Sequence, residues 1–153
     1  KRKPELGLMF IDLDNFKHYN DTYGHDVGDL VLKEMADIFS GLCEKQGFVC
    51  RYGGDEYIIV FFTADKERLK ETAKQIYQKI DQADGFEKAI SEKLKKQISI
   101  RKEQRISCSI GIVLAEDIHG EEEIKDVIRR TVNGEHVFPD VSPFAATPRS
   151  AKE

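Results

Sequence analysis

The chain has 153 residues, 40% of them hydrophobic and 34% charged, with a formal net charge of −4. That size and balance predict one soluble globular domain with a sizeable core, and the longest apolar runs, Leu8 to Ile11 and Tyr57 to Phe62, are far too short to cross a bilayer. The net negative charge argues against broad nucleic-acid binding but leaves room for one small phosphate-bearing ligand, and no membrane contact by this segment is expected. The opening "KRKPELGLMFIDLD" has no long apolar stretch before its first Asp, so no signal peptide is expected. Cys43, Cys50 and Cys108 form no CxxC, which fits a reducing cytoplasm; all three are expected to be small core or half-buried residues.

In chain order, "LGLMFIDLD" (6–14) reads as a short, mostly buried strand ending at acids. "NDTYGHDVGD" (20–29) is rich in turn formers, and from Asp29 onward Leu30, Leu32, Met35, Ile38, Phe39 and Leu42 recur at helical spacing, with Gly41 near the end. "FVCRY" (48–52) and "EYIIVFF" (56–62) read as two strands of a hairpin around Gly53-Gly54, where glycine tolerates unusual backbone angles. Residues 65–83 form an amphipathic helix with Leu69, Ala73, Ile76, Tyr77 and Ile80 inward and the charges of Lys66 to Lys79 on a solvated face. Residues 84–104 read as an insertion made of a shorter helix and a polar link, "RISCSIGIVLA" (105–115) as the fourth strand, and "EEEIKDVIRRTV" (121–132) as a last helix with acids in its first turn. Three of the four prolines fall in 138–153, so 136–153 is expected to be a disordered tail after a single domain over 1–135. The order is α+β, a βαββαβ pattern of ferredoxin-like or palm type, with an antiparallel central sheet and helices packed on one face. Phe10, Phe16, Phe39 and Phe48 are expected in the core.

Two strands end in carboxylates: Asp12 and Asp14 at the first, Asp55 and Glu56 at the hairpin tip. In a βαββαβ sheet the first and third strands are the central pair, which brings Asp55 beside Asp12. Close like charges repel unless a cation sits between them, and Mg²⁺ takes one or two carboxylates plus substrate phosphates. Gly53 and Gly54 would let a phosphate or base approach the backbone. Lys17 and the "NFKHYN" amides offer anion contacts, while Asp14 is expected to cap the helix that follows. Asn20 and Asp29 flank a glycine turn. A guanine edge offers N1–H and N2–H donors with N3 and O6 acceptors, which an amide and a carboxylate complement; adenine has no such donor pair. His25 is expected to hold the turn, and His18, His119 and His136 show no ligand spacing. On this physics alone the acids are either solvated turn residues or a metal-dependent phosphoryl-transfer site.

"DLDNFKHYNDTYGHDVGDLVL" (12–32) with "RYGGDEY" (51–57) closely resembles the GGDEF family of diguanylate cyclases, and "SCSIGIV" (107–113) is similar to its SxGIA strand. The resemblance spans roughly residues 6–132 and implies a palm of nucleotidyl cyclase type that condenses two GTP into cyclic di-GMP and releases two pyrophosphates. Each domain would hold one GTP and meet a second copy face to face, under an upstream sensor domain. It implies two Mg²⁺ or Mn²⁺ per site, ligated by Asp12 and Asp55 with the Leu13 carbonyl, and Glu56 close by. Asp55 would help deprotonate the attacking 3′-hydroxyl. The backbone at Asn15 and Phe16, and Lys17, would serve the triphosphate; Asn20 and Asp29 would read guanine, with His25, Gly53 and Gly54 lining the substrate.

The chain also departs from the pattern. The fifth signature residue is Tyr57, whose hydroxyl needs a partner if buried. Glu44 and Gly47 occupy the places of the RxxD inhibitory site, which is therefore expected to be absent. The N-terminal LTGLxNR element has no counterpart, and where similar proteins run ADxALYxAKxxGRN the chain keeps Arg129 and Arg130 but no clear Lys–Arg pair. The alternative to an enzyme is a degenerate domain that binds GTP or a protein partner without catalysis. A palm-type polymerase fragment shares the metal logic but would need a basic groove.

Overall fold

The computed structural model describes residues 5–118, together with residues 120, 121, 125, 126, 129 and 133. Strands β1 (Gly7–Asp14), β2 (Gly47–Arg51), β3 (Glu56–Phe61) and β4 (Ser107–Leu114) form one sheet in the order β2-β3-β1-β4, with every pair antiparallel. As expected, β1 and β3 are the central pair. Helices α1 (Phe16–Tyr23), α2 (His25–Cys43), α3 (Lys66–Gln82) and α4 (Glu87–Leu94) complete the described elements of this α+β fold.

Strand alternation decides what each face of the sheet presents. Met9, Ile11 and Leu13 of β1, Tyr57, Ile59 and Phe61 of β3, and Cys108, Ile110 and Ile112 of β4 are buried in one cluster with the apolar stripes of the helices. Leu69, Ala73, Ile76, Tyr77 and Ile80 form the buried stripe of α3, as their spacing predicts. Its first turn is closed by Asp65, which accepts from the amides of Glu67 and Arg68. Phe10 and Val113 lie in a second, smaller cluster with Leu8, Ile58 and Ile118. Among the described residues no helix is long and apolar enough to cross a membrane.

Several expectations are corrected. The stretch 20–29 is helical on both sides of a single break at Gly24, whose left-handed φ of 94° separates α1 from α2, so the second helix starts at His25 and not at Asp29. Burial of Tyr19 and Val27, one on each side of the break, outweighs the weak helix propensity of Asn20, Asp21 and Thr22. Phe48 is not in the core: it is 47% exposed, with its ring 5.9 Å from that of the exposed Phe62. Cys50, two residues on and therefore on the same face of β2, is also exposed. Both belong to an edge strand, which has a neighbour on one side only. The link after α4 is not simply polar, because Ile98 and Ile100 are buried along with Phe86 and Ile90. Of the helix expected over 121–132, Glu121, Lys125, Asp126 and Arg129 are described and helical, with ion pairs Glu121–Lys125 and Asp126–Arg129. The rest of that helix and the tail expected over 136–153 lie outside the described residues.

One buried polar residue ties three segments together. Tyr19 is fully buried in α1; its hydroxyl donates to the Gly85 carbonyl at 2.9 Å and accepts from the Ile106 amide at 3.0 Å. Gly85 has φ 69°, and a Cβ there would lie 2.8 Å from the Tyr19 hydroxyl oxygen. Tyr19→Phe leaves a buried N–H and a buried C=O without this partner, an expected loss of ~1–3 kcal/mol in urea unfolding. Burial pushes the Tyr19 phenol up to about 12, from an ordinary value of 10.0. The unfolded chain therefore releases this proton first. The contribution is complete below about pH 10 and is lost as pH rises toward 12. The Phe variant should lack this part of the alkaline slope; identical slopes and stabilities would dismiss the assigned role.

Candidate active site at the tip of the central strands

The register sets the site. Asp12 on β1 lies opposite Glu56 on β3 and opposite Ser109 on β4. Beyond the paired residues, the Leu13 amide donates to the Asp55 carbonyl at 3.0 Å, so the hairpin tip is fastened across the end of β1. The result is a cluster: one carboxylate oxygen from each of Asp12, Asp55 and Glu56, all within 4.8 Å of one another. Asp12 is buried at 2% exposure, while Asp55 and Glu56 are half-buried. Hard oxygen donors of this kind suit Mg²⁺ or Mn²⁺ and not a softer metal that prefers nitrogen or sulfur.

The tip is held by contacts that the motif does not announce. The amides of Tyr52 and Gly53 both donate to the Glu56 carbonyl, and the Arg51 guanidinium donates through Nε to the carbonyls of Gly53 and Gly54. Neither glycine has a left-handed φ, contrary to the reading of the turn from sequence. Only Gly53 is needed for space. A Cβ at Gly53 would sit 2.8 Å from Glu56 Oε1, whereas one at Gly54 would meet nothing within 4 Å. Gly53 therefore makes room for the Glu56 carboxylate, and Gly54 faces open space where a ligand could approach.

Tyr57, at the signature's fifth position, points into the helix side of the core. Its hydroxyl donates to the Leu32 carbonyl of α2 at 2.9 Å, and its ring meets Phe39 edge-on at 5.0 Å. Burial pushes its phenol upward, and the partner removes the penalty of a buried hydroxyl. Asp14 does not cap α1. It is buried at 4% exposure, and its Oδ2 accepts from the hydroxyls of Ser107 at 3.2 Å and Ser109 at 3.4 Å, which fastens β1 to β4 below the acidic cluster. The residue before α1 is Asn15, left-handed at φ 69°, and its side chain does not cap the helix either.

Lys17 on α1 is largely exposed and pairs with Asp21 at 2.6 Å, a surface ion pair worth little on its own and open to exchange for a more highly charged anion. Phe16 is half-buried against the core. Asn20 is half-buried against α2: a Cβ at Gly28 would lie 1.7 Å from its Oδ1. Asp29, the next residue, is exposed, as is His25 at the start of the same helix. The α1–α2 corner thus brings Asn20 and Asp29 to neighbouring positions. Sequence reasoning named both but missed Gly28 as the residue that lets the amide lie there.

Comparison with known proteins identifies the family. The family model described as "Diguanylate cyclase, GGDEF domain" matches residues 1–132. Diguanylate cyclase DosC of Escherichia coli K12 is 38% identical over 76 residues, which are 50% of this chain and 16% of that protein. The bifunctional diguanylate cyclase/cyclic di-GMP phosphodiesterase MucR of Pseudomonas aeruginosa is 36% identical over 109 residues, 71% of this chain and 14% of that one. This chain therefore spans only a small part of these relatives. Among solved structures, the active GGEEF domain of a diguanylate cyclase from Vibrio cholerae superposes with a TM-score of 0.57 at 32% identity, covering 82% of this chain and 70% of that one. By motif, topology and the family match over most of its length, the chain belongs to the GGDEF-domain family.

Proposed function

We propose that this domain condenses two molecules of GTP into cyclic di-GMP, with release of two pyrophosphates, at the acidic tip of β1 and β3. The observation that carries the reading is the convergence of carboxylate oxygens from Asp12, Asp55 and Glu56 within 4.8 Å. A cation shared with a triphosphate would offset the repulsion of three acids gathered there. Divalent ions held by Asp12, Asp55 and the Leu13 carbonyl would lower the barrier by activating a hydroxyl and neutralising the departing pyrophosphate.

The chain's own residues supply the rest. Asp55 accepts the proton of the attacking 3′-hydroxyl, and Glu56 adds negative charge beside it to hold the cations. The 3′-oxygen of one GTP bonds to the α-phosphorus of the other, and the bond to the bridging oxygen breaks as pyrophosphate leaves; the same step in the other direction closes the ring. The first amides of α1, at Asn15 and Phe16, and the Lys17 ammonium stabilise negative charge on the phosphates. Asn20 and Asp29 pair with the guanine edge, while His25, Gly53 and Gly54 border the ligand. Because each domain holds one GTP, the reaction needs two domains facing each other, a homodimer whose approach an upstream sensor domain would govern. GTP as substrate assigns the domain to the cytoplasm.

The test is direct. The purified chain is incubated with GTP and Mg²⁺ or Mn²⁺, and products are separated by chromatography. Cyclic di-GMP and pyrophosphate in a one-to-two ratio are expected. GTP bound without product would leave a binding module, and absence of binding would refute both readings.

A further inference from the structure

We propose that the excursion between α3 and β4, residues 84–106, is a positioning element for the phosphate end of the site, acting through the side chain of Asn15; this rests on the nucleotide reading above. Asn15 sits between the acidic tip and the first turn of α1, in a left-handed conformation that asparagine tolerates better than most residues. Its Nδ2 donates to the carbonyl of Arg105 at 2.9 Å and to that of Glu103 at 3.2 Å, some ninety residues along the chain. One turn along the same helix, Tyr19 binds both ends of the excursion, at Gly85 and Ile106. The start of α1 is therefore suspended from the excursion at two points, and the direction of its first amides follows from where the excursion lies.

The excursion is braced by itself as well. The Arg105 guanidinium lies 3.5 Å from Asp84 and 3.7 Å from Glu87, and its Nε donates to the Ile100 carbonyl at 3.2 Å. Glu87 in turn accepts from the Ile100 amide at 2.6 Å. These bonds close a ring through the base of the excursion that holds the two carbonyls in front of Asn15. No polar side chain of the excursion is needed at the ligand; it acts through backbone carbonyls on Asn15 and through Asn15 on the α1 amides.

Asn15→Gly keeps the left-handed backbone accessible and removes both donors. Arg105→Ala leaves the accepting carbonyls in place and removes the brace. Binding of GTP, of inorganic triphosphate and of guanosine is measured by calorimetry with Mg²⁺ for the parent and both variants. Each variant should bind GTP and triphosphate about tenfold more weakly, the scale of loss that small misplacement of binding groups produces. Guanosine affinity should not change, which a merely structural defect would not spare. Unchanged GTP affinity in both variants, or an equal loss for guanosine, would overturn the proposal. If Asn15→Gly does not fold, Arg105→Ala decides alone. A parent that binds neither GTP nor triphosphate would instead overturn the nucleotide reading and remove this one with it, an outcome distinct from a parent that binds and variants that match it.

Discussion

Asp55→Ala is expected to abolish cyclic di-GMP formation and to remove the thermal stabilisation that Mn²⁺ confers on the parent. Two charges about 4 Å apart interact by roughly 4 kcal/mol at an effective dielectric of 20, so three carboxylates within 4.8 Å are a standing cost to the metal-free fold. Deleting Asp55 relieves part of that repulsion. Without metal, the variant should therefore be at least as stable as the parent, its backbone carbonyl still accepting from the Leu13 amide. With metal the order reverses. A ligand at a hundred times its Kd stabilises the native state by about 2.7 kcal/mol, and the variant, short of one oxygen donor, forfeits most of this. Thermal melts of both proteins with and without Mn²⁺ give the result in one experiment. Equal metal-induced shifts would remove Asp55 from the ligand set, and product at the parent rate would remove it from catalysis.

The architecture was legible because its signals are periodic and redundant. The four strands, the buried stripe of α3 and the central pairing of β1 with β3 all follow from apolar spacing and element order. The convergence of Asp12 with Asp55 and Glu56 followed from that pairing. What could not be read are contacts between segments remote in sequence. Nothing near Asp14 points to Ser107 and Ser109, so a helix cap was the natural local reading. Nothing near Tyr19 or Asn15 points to the 84–106 excursion, whose stretch after α4 reads as a polar link because only alternate residues there, Ile98 and Ile100, reach the core. Phe48 and Cys50 were misplaced for a related reason. Aromatic and small residues in a strand suggest burial, but both lie on the face of β2 opposite Val49, which packs on the main cluster, and which face of a strand is covered is a property of the whole sheet. At the tip neither glycine uses a left-handed backbone angle, and Gly53 instead makes room for the Glu56 carboxylate, a role that depends on where that side chain goes.

The same distinction gives the second large effect. Gly28→Ala should weaken GTP binding while leaving the fold as stable as before, or more so. A methyl group there would lie 1.7 Å from Asn20 Oδ1, a distance no pair of atoms tolerates, so one of the two must move. Gly28 is buried and its amide is held by the Gly24 carbonyl, whereas the Asn20 amide is the end of a short side chain, so the amide turns away. Alanine gains about 1 kcal/mol over glycine in a helix interior, enough to offset a modest rearrangement. The proposed guanine contact has no such compensation. Loss of one hydrogen bond in a partly buried site costs ~1–3 kcal/mol, roughly five- to a hundred-and-fortyfold in affinity. Binding of GTP and ATP to Gly28→Ala, Asp29→Ala and the parent separates the roles. Both variants should lose preference for GTP, but only Gly28→Ala does so with every polar side chain of the site still present. If its GTP affinity equals that of the parent, Asn20 does not read the base, and the space above Gly28 serves packing alone.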